Sequence, residues 1–163
     1  MTLYLVRHAI AEEHPSQPHL GDDGRVLTIA GREKFARQVI GLRRLEVMFD
    51  RVIHSPKLRA VETAQLLAPL SPKTESLPLL GLPPGPELLA WLAAQPEPSL
   101  ALVGHQPWLG QLCAWLVVGQ PERETAFPFK KGGVSILEGA PRPGQMQLTA
   151  VLPPRVLREL GKA

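Results

Sequence analysis

Three short strand-like runs, two followed at once by a helix start and the first by a polar loop over His14–Gly24, constrain this chain more than any other feature. Thr2-Leu3-Tyr4-Leu5-Val6 and Leu100-Ala101-Leu102-Val103 are short and almost wholly apolar, the mark of strands buried on both faces. Arg51-Val52-Ile53-His54 reads as a strand of the same kind. Helical stretches stand between them. Thr28 can cap a helix to about Arg44, with Ala36, Val39 and Ile40 on its inner face. Ser55-Pro56 offers an N-cap with proline at the first helical position, opening a helix to about Ala68. Gly85-Pro86 opens another through about Gln95. Pro107 to Val118 is a nearly uncharged helix with Gly119 just past its end. Strands alternating with helices predict an α/β fold with a mostly parallel sheet.

The remaining segments fit that plan. Thr74 to Leu79 reads as a further strand despite Pro78. Val134–Leu137 and Met146–Leu152 flank a turn at Gly139–Gly144 and predict a hairpin, which makes one strand antiparallel. Pro154 to Leu160 is a short last helix. The 163 residues suit one domain, 1–163, and no repeat or long linker divides them. The 18 prolines and 14 glycines lie between the periodic segments, so they predict tight turns and not disorder.

Composition excludes several classes. Cys113 is the only cysteine, which rules out an intrachain disulfide and suits a reducing compartment. Arg7 arrives before any signal-peptide core could form, and the apolar stretch Trp108–Val118 is too short to span a bilayer. A cytoplasmic protein without a membrane partner is expected. The net charge of +3 and pI of about 9.4 suit an anionic ligand. No run of basic residues marks a nucleic-acid partner, and none is expected.

Ligands of open α/β sheets bind beyond the carboxyl ends of the strands. The first strand here ends in Arg7-His8. The second ends in Ser55-Pro56, with Arg59 one turn into the next helix. The strand at 100–103 ends in Gly104-His105. Two arginines and two histidines therefore meet at one sheet edge. Guanidinium forks match phosphate oxygens, and helix N-termini at Pro56 and Pro107 add N–H donors. A histidine among cations is held neutral by like charge, and a neutral imidazole is a nucleophile. The pattern suggests phosphoryl transfer through a phosphohistidine.

These residues resemble the histidine phosphatase superfamily, the phosphoglycerate-mutase-like fold. Leu5-Val6-Arg7-His8-Ala9 resembles its signature, and Ser55-Pro56-Lys57-Leu58-Arg59-Ala60 with Thr63-Ala64 its second motif. Val103-Gly104-His105-Gln106-Pro107 resembles the third, and Leu27-Thr28-Ile29-Ala30-Gly31 the family's helix start. The resemblance implies a three-layer α/β/α sandwich around a six-stranded mixed sheet with one antiparallel strand. It implies His8 as the nucleophile, Arg7 and Arg59 as binders of phosphoryl oxygens, and His105 as a stabiliser of the transferring group. Ser55 and Gln106 join them as expected substrate contacts, and a phosphate or sulfate anion should bind there. No cofactor is implied, and no histidine pair has a zinc-type spacing with a third ligand, so no metal is expected.

The family's ester-cleaving members carry a catalytic glutamate after the third strand. Here that region reads Leu77-Pro78-Leu79-Leu80-Gly81-Leu82-Pro83, with no carboxylate. That absence, the room for only a compact segment between Ser55 and His105, and Lys130-Lys131-Gly132-Gly133-Val134 resemble the SixA-type phosphohistidine phosphatases. The expected substrate is a phosphohistidine-bearing protein. The alternatives are a small-molecule phosphomonoesterase of the same superfamily and a non-catalytic phosphate- or phosphoprotein-binding module. Glu87, Asp22 and Asp23 are the carboxylates that could approach the site. Glu62, three residues after Arg59, reads as its ion-pair partner. His14 and His19 read as solvent-facing, His54 as structural, Trp91, Trp108 and Trp115 as core or rim, and Cys113 as an inert thiol.

Overall fold

A computed structural model describes residues 1–162. Strand β1 (Thr2–Arg7) leads through a loop to helix α1 (Ile29–Arg44), then β2 (Arg51–His54), α2 (Leu58–Leu66) and β3 (Thr74–Ser76). Helix α3 (Pro86–Ala93), β4 (Ser99–Gly104) and α4 (Trp108–Val118) follow. The hairpin β5 (Val134–Gly139) and β6 (Met146–Leu152) and helix α5 (Pro154–Leu160) complete the fold. The strands form one sheet in the order β3-β2-β4-β1-β5-β6. β5 runs antiparallel to both neighbours, and the other pairings are parallel. This is the expected three-layer sandwich with a six-stranded mixed sheet.

Strand alternation divides the core. Leu3, Leu5, Ile53, Leu100, Leu102 and Leu137 face α3 and α4, where they meet Leu88, Leu92, Leu112 and Leu116. Val6, Val52, Ala101, Val103 and Val134 face α1, α2 and α5, where they meet Phe35, Leu42, Ala64 and Leu157. A leucine fully withdrawn from water, such as Leu102, contributes about 1.5–3 kcal/mol, so the central strands anchor both layers. The chain leaves β1 for α1 on one face and leaves β4 for α4 on the other. The crevice between the ends of these adjacent strands is the sheet's switch point.

Local rules account for several boundaries. Thr28 caps α1, its Oγ1 accepting from the Gly31 amide at 2.8 Å. Gly119 ends α4 in the left-handed conformation. Three expectations need correction. The inner face of α1 holds Phe35, Gln38, Val39 and Leu42, whereas Ala36 and Ile40 are exposed. The polar Gln38 on the buried side shifted the apparent stripe by one residue. The third strand stops at Ser76, because Pro78 starts a 3₁₀ turn over Pro78–Gly81. Helix α2 begins at Leu58 and not at Pro56, with Lys57 at its N-cap, so Ser55 is no cap.

Candidate active site

Backbone bonds bring the strand ends to one level. The His8 amide donates to the Gly104 carbonyl at 3.0 Å, the Ser55 amide to Val103 at 3.0 Å, and the Arg7 amide to Gly133 at 3.0 Å. The loop before β5 closes the far side, where the Gly132 amide donates to the carbonyls of Arg7 and His8, each at 3.1 Å. Gly132 holds φ at 79°, a conformation that favours glycine, and Gln38 donates to its carbonyl at 2.7 Å. Thr63 ties α2 to the same place. Its hydroxyl donates to the Arg59 carbonyl at 2.6 Å and accepts from the Ala9 amide at 3.0 Å.

His8 is 5 % exposed, and its Nδ1 lies 2.7 Å from the Ala9 carbonyl. A carbonyl only accepts, so Nδ1 carries the proton. In the neutral ring Nε2 then has the free lone pair. Burial pushes the His8 pKa down to about 3, opposed by the Ala9 bond and assisted by the charges of Arg59, Arg7 and Lys131. The ring is therefore neutral at physiological pH. His105 is pushed down to about 3 as well, first by burial and then by Arg59, His8 and Lys57, against the opposing charge of Asp22. The two rings lie 5.3 Å apart between centroids, and His105 meets the Trp108 ring edge-on at 5.8 Å.

Arg7 reaches across to the Phe129 carbonyl at 2.5 Å. Burial lowers its pKa, and its Nε has no partner among the described residues. Arg59 is buried and donates to Asp22 twice, from one terminal nitrogen to the carbonyl at 2.7 Å and from the other to Oδ2 at 2.9 Å. Lys57 places its ammonium 5.5 Å from the centre of the Trp108 ring and 3.0 Å from Asp23. Ser55, fully buried, turns its hydroxyl to His105 Nε2 at 2.8 Å. Arg7, His8, Ser55, Arg59 and His105 thus gather at the crevice. Gln106 lies beside them, but its Oε1 accepts from the Gly110 amide at 2.9 Å in the first turn of α4.

The carboxylates are placed differently from the sequence expectation. Glu62 pairs with Arg32 and accepts from the Leu27 amide at 2.6 Å, so it is not the partner of Arg59. That role falls to Asp22, which arrives from the turn at Pro18–Gly24, far from Arg59 in sequence. Partial burial would raise the Asp22 pKa, but hydrogen bonds from Arg25, Arg59 and Lys57 hold it well below the usual carboxylate range. Glu87 turns back toward Gly85 at the start of α3. Leu80, Leu82 and Leu88 form an apolar flank beside His105 and Trp108, where the family's acid was expected to be missing. Cys113 is buried, which raises its thiol pKa to about 12, and it takes no part.

Four contributors escaped the sequence reading as site residues. Lys57 and Thr63 stood inside the quoted motif, and Lys131 inside the Lys-Lys-Gly-Gly stretch. Gln38 gave no signal, because its role depends on a loop 94 positions away. Among the described residues, no three histidine, cysteine or carboxylate side chains gather as a set able to hold a metal ion.

A family model for the histidine phosphatase superfamily (branch 1) matches residues 3–80. An uncharacterized protein of Picosynechococcus sp. (strain ATCC 27264 / PCC 7002 / PR-6) is 35% identical over 149 residues, covering 87% of this chain and 88% of the relative. Among solved structures, the protein histidine phosphatase SixA complexed with tungstate is similar at a TM-score of 0.78. The match has 22% identity and covers 96% of this chain and 99% of that one. A phosphoserine phosphatase from Entamoeba histolytica, complexed with 3-phosphoglyceric acid, is similar at a TM-score of 0.67. That match has 18% identity and covers 96% of this chain and 98% of that one. At these identities the structural likenesses speak for the fold.

Proposed function

The chain belongs to the histidine phosphatase superfamily, and from that premise we propose that it hydrolyses protein phosphohistidine through a phosphoryl group carried on His8. His8 Nε2 attacks phosphorus, the bond to the substrate nitrogen breaks, and the substrate imidazole, already protonated on its other ring nitrogen, leaves neutral with the electron pair. Water then attacks the phosphoryl group, its proton stays with the released phosphate, and the pair of the P–N bond returns to Nε2. Arg7, Arg59 and His105 offset the charge on the equatorial oxygens, which is where most catalysis of phosphoryl transfer lies. Ser55 holds His105, and Gln106 borders the phosphoryl group. The chemistry asks for no metal, so activity should persist in EDTA. The lone buried Cys113 fits a cytoplasmic protein.

The observation that carries the choice of substrate is the state of the carboxylates. Asp22 is the carboxylate seated on Arg59, and three cations hold it ionised, so it cannot protonate a leaving group near neutral pH. The flank beside His105 and Trp108 is apolar, lined by Leu80, Leu82 and Leu88. An alkoxide needs a proton as it leaves, and general acids contribute roughly 10²–10⁴-fold. An imidazole is far less basic and leaves without that help. A substrate panel tests the reading. kcat/KM for a phosphohistidine protein should exceed that for alkyl phosphates by at least about two decades, with activated aryl phosphates between. A best rate on an alkyl phosphate would make the protein a small-molecule phosphomonoesterase. Failure of His8 to accept phosphate in a single turnover would make it a binding module.

A further inference from the structure

We propose that Asp22 is a specificity-determining residue, seated on Arg59 in the place of phosphoryl oxygens and displaced when a phosphoryl group binds. The contact has the form of ligand recognition. Two oxygens of Asp22, its carbonyl at 2.7 Å and its Oδ2 at 2.9 Å, take the two terminal nitrogens of one buried guanidinium. A phosphoryl group would use the same fork. The other carboxylate oxygen, Oδ1, accepts from Arg25 at 2.9 Å, and Lys57 approaches Oδ2 at 3.4 Å. One anion therefore draws on several of the cations that the site would offer a substrate.

The turn that carries Asp22 is built to deliver it. Gly21 bends the Pro18–Gly24 segment at φ 55° and ψ −152°, and nothing lies within 4 Å of where its side chain would be. Only glycine adopts that conformation readily, so the kink that aims Asp22 at Arg59 depends on it. Asp22 also keeps 54% of its side chain in water, whereas Arg59 keeps 7%. The carboxylate can swing to solvent and free one terminal nitrogen of Arg59, and the main-chain carbonyl frees the other only as the turn at Gly21 moves, whereas the guanidinium stays where it is.

The consequence is selectivity between a phosphoryl group and free phosphate. An anion that offers only its charge must compete with Asp22. A phosphoryl group attached to a larger partner brings further contacts that favour displacement, and the released phosphate is expelled as Asp22 returns. The inference rests on the part of the proposed function that puts Arg59 in the anion site, and it is independent of the leaving group.

Calorimetric titration of the full chain with inorganic phosphate and orthovanadate tests it. Asp22→Asn and Asp22→Ala should each bind these anions about three- to tenfold more tightly than wild type, the scale set by one partly exposed carboxylate beside a guanidinium. Product inhibition by phosphate should strengthen by the same factor. The gain should vanish in the Arg59→Ala background. Unchanged or weaker binding in both Asp22 variants overturns the proposal. Weaker binding by Asp22→Ala with no gain in Asp22→Asn also overturns it, because Asp22 would then merely orient Arg59. A gain that survives Arg59→Ala is a general charge effect and overturns it too. Loss of binding in Arg59→Ala beside unchanged Asp22 variants leaves the anion site intact and removes only this inference, whereas no anion binding by any form removes both.

Discussion

The hydroxyl of Ser55 lies 2.8 Å from Nε2 of His105, while Nδ1 of the same ring is buried with no partner among the described residues. The Lys57 amide points at the same hydroxyl oxygen at 3.3 Å and occupies one of its lone pairs. The hydroxyl hydrogen is then free to turn toward Nε2. A neutral ring that accepts there carries its proton on Nδ1. His105 so arranged carries a neutral N–H on the unpartnered Nδ1 and adds no charge beside His8.

Ser55→Ala removes the hydroxyl that can favour this tautomer by donating to Nε2. Transition-state donors of this kind are worth about 10²–10³ in kcat when deleted outright, so a misdirected donor should cost about tenfold. KM should change little, because the arginines still bind the phosphoryl group. Nitrogen NMR of the histidines is the direct check. A wild-type His105 protonated on Nε2 would contradict the arrangement.

The depressed histidines give the pH dependence its sign. His8 and His105 remain neutral in the folded protein until about pH 3, whereas an unfolded histidine takes a proton near 6.5. Between these values the unfolded state binds more protons, so stability falls as pH falls from about 6.5 toward 3, and no such loss occurs above 6.5. Thermal unfolding measured from pH 7 to pH 4.5 should therefore show a shallower decline in His8→Ala than in wild type. Activity that depends on a neutral His8 should likewise hold well below pH 6.5. A fall in kcat/KM with an ordinary imidazole pKa would show that the free enzyme's histidine is not desolvated.

The sheet and the strand-end quartet were legible because each depends on local sequence. Leu3 to Val6 and Leu100 to Val103 are apolar runs with one reading, and Arg7, His8 and His105 follow directly from them. Thr28 announces its helix by a side-chain bond three residues long. What was missed involves partners remote in sequence. Arg59 looked toward Glu62, one turn away, but the fold supplies Asp22 through 37 positions. Ser55 looked like a cap because a serine before a proline usually is one, and here the pocket claims its hydroxyl instead. Gln38 was left off the inner helix face, because the carbonyl its amide binds belongs to the loop before β5, 94 positions away.

That buried amide supplies another prediction. Gln38→Leu keeps the side chain's bulk but leaves the Gly132 carbonyl without its donor, a loss of about 1–3 kcal/mol of stability. The same loop holds the carbonyls of Arg7 and His8, so kcat should fall beyond what the remaining folded fraction explains. Chemical denaturation beside kcat per folded molecule separates the two. Full activity at reduced stability would confine Gln38 to a structural part.

The identity of the phosphorylated nitrogen is the most direct test of the mechanism. The Ala9 carbonyl can bond only to a protonated Nδ1, so the lone pair of the neutral His8 ring lies on Nε2. Attack through Nδ1 would require breaking a 2.7 Å bond in a buried setting and moving the ring's proton first. The phosphoenzyme should therefore carry its phosphoryl group on Nε2. Trapping should be done at alkaline pH, because the P–N bond is lost in acid, and phosphorus–nitrogen NMR distinguishes the isomers. His8→Ala should form no phosphoenzyme and lose at least about three orders of magnitude in turnover, as removal of a covalent nucleophile does. An Nδ1-linked phosphoryl group would mean that the His8 ring turns over during the reaction, and substantial turnover by His8→Ala would remove it as the nucleophile.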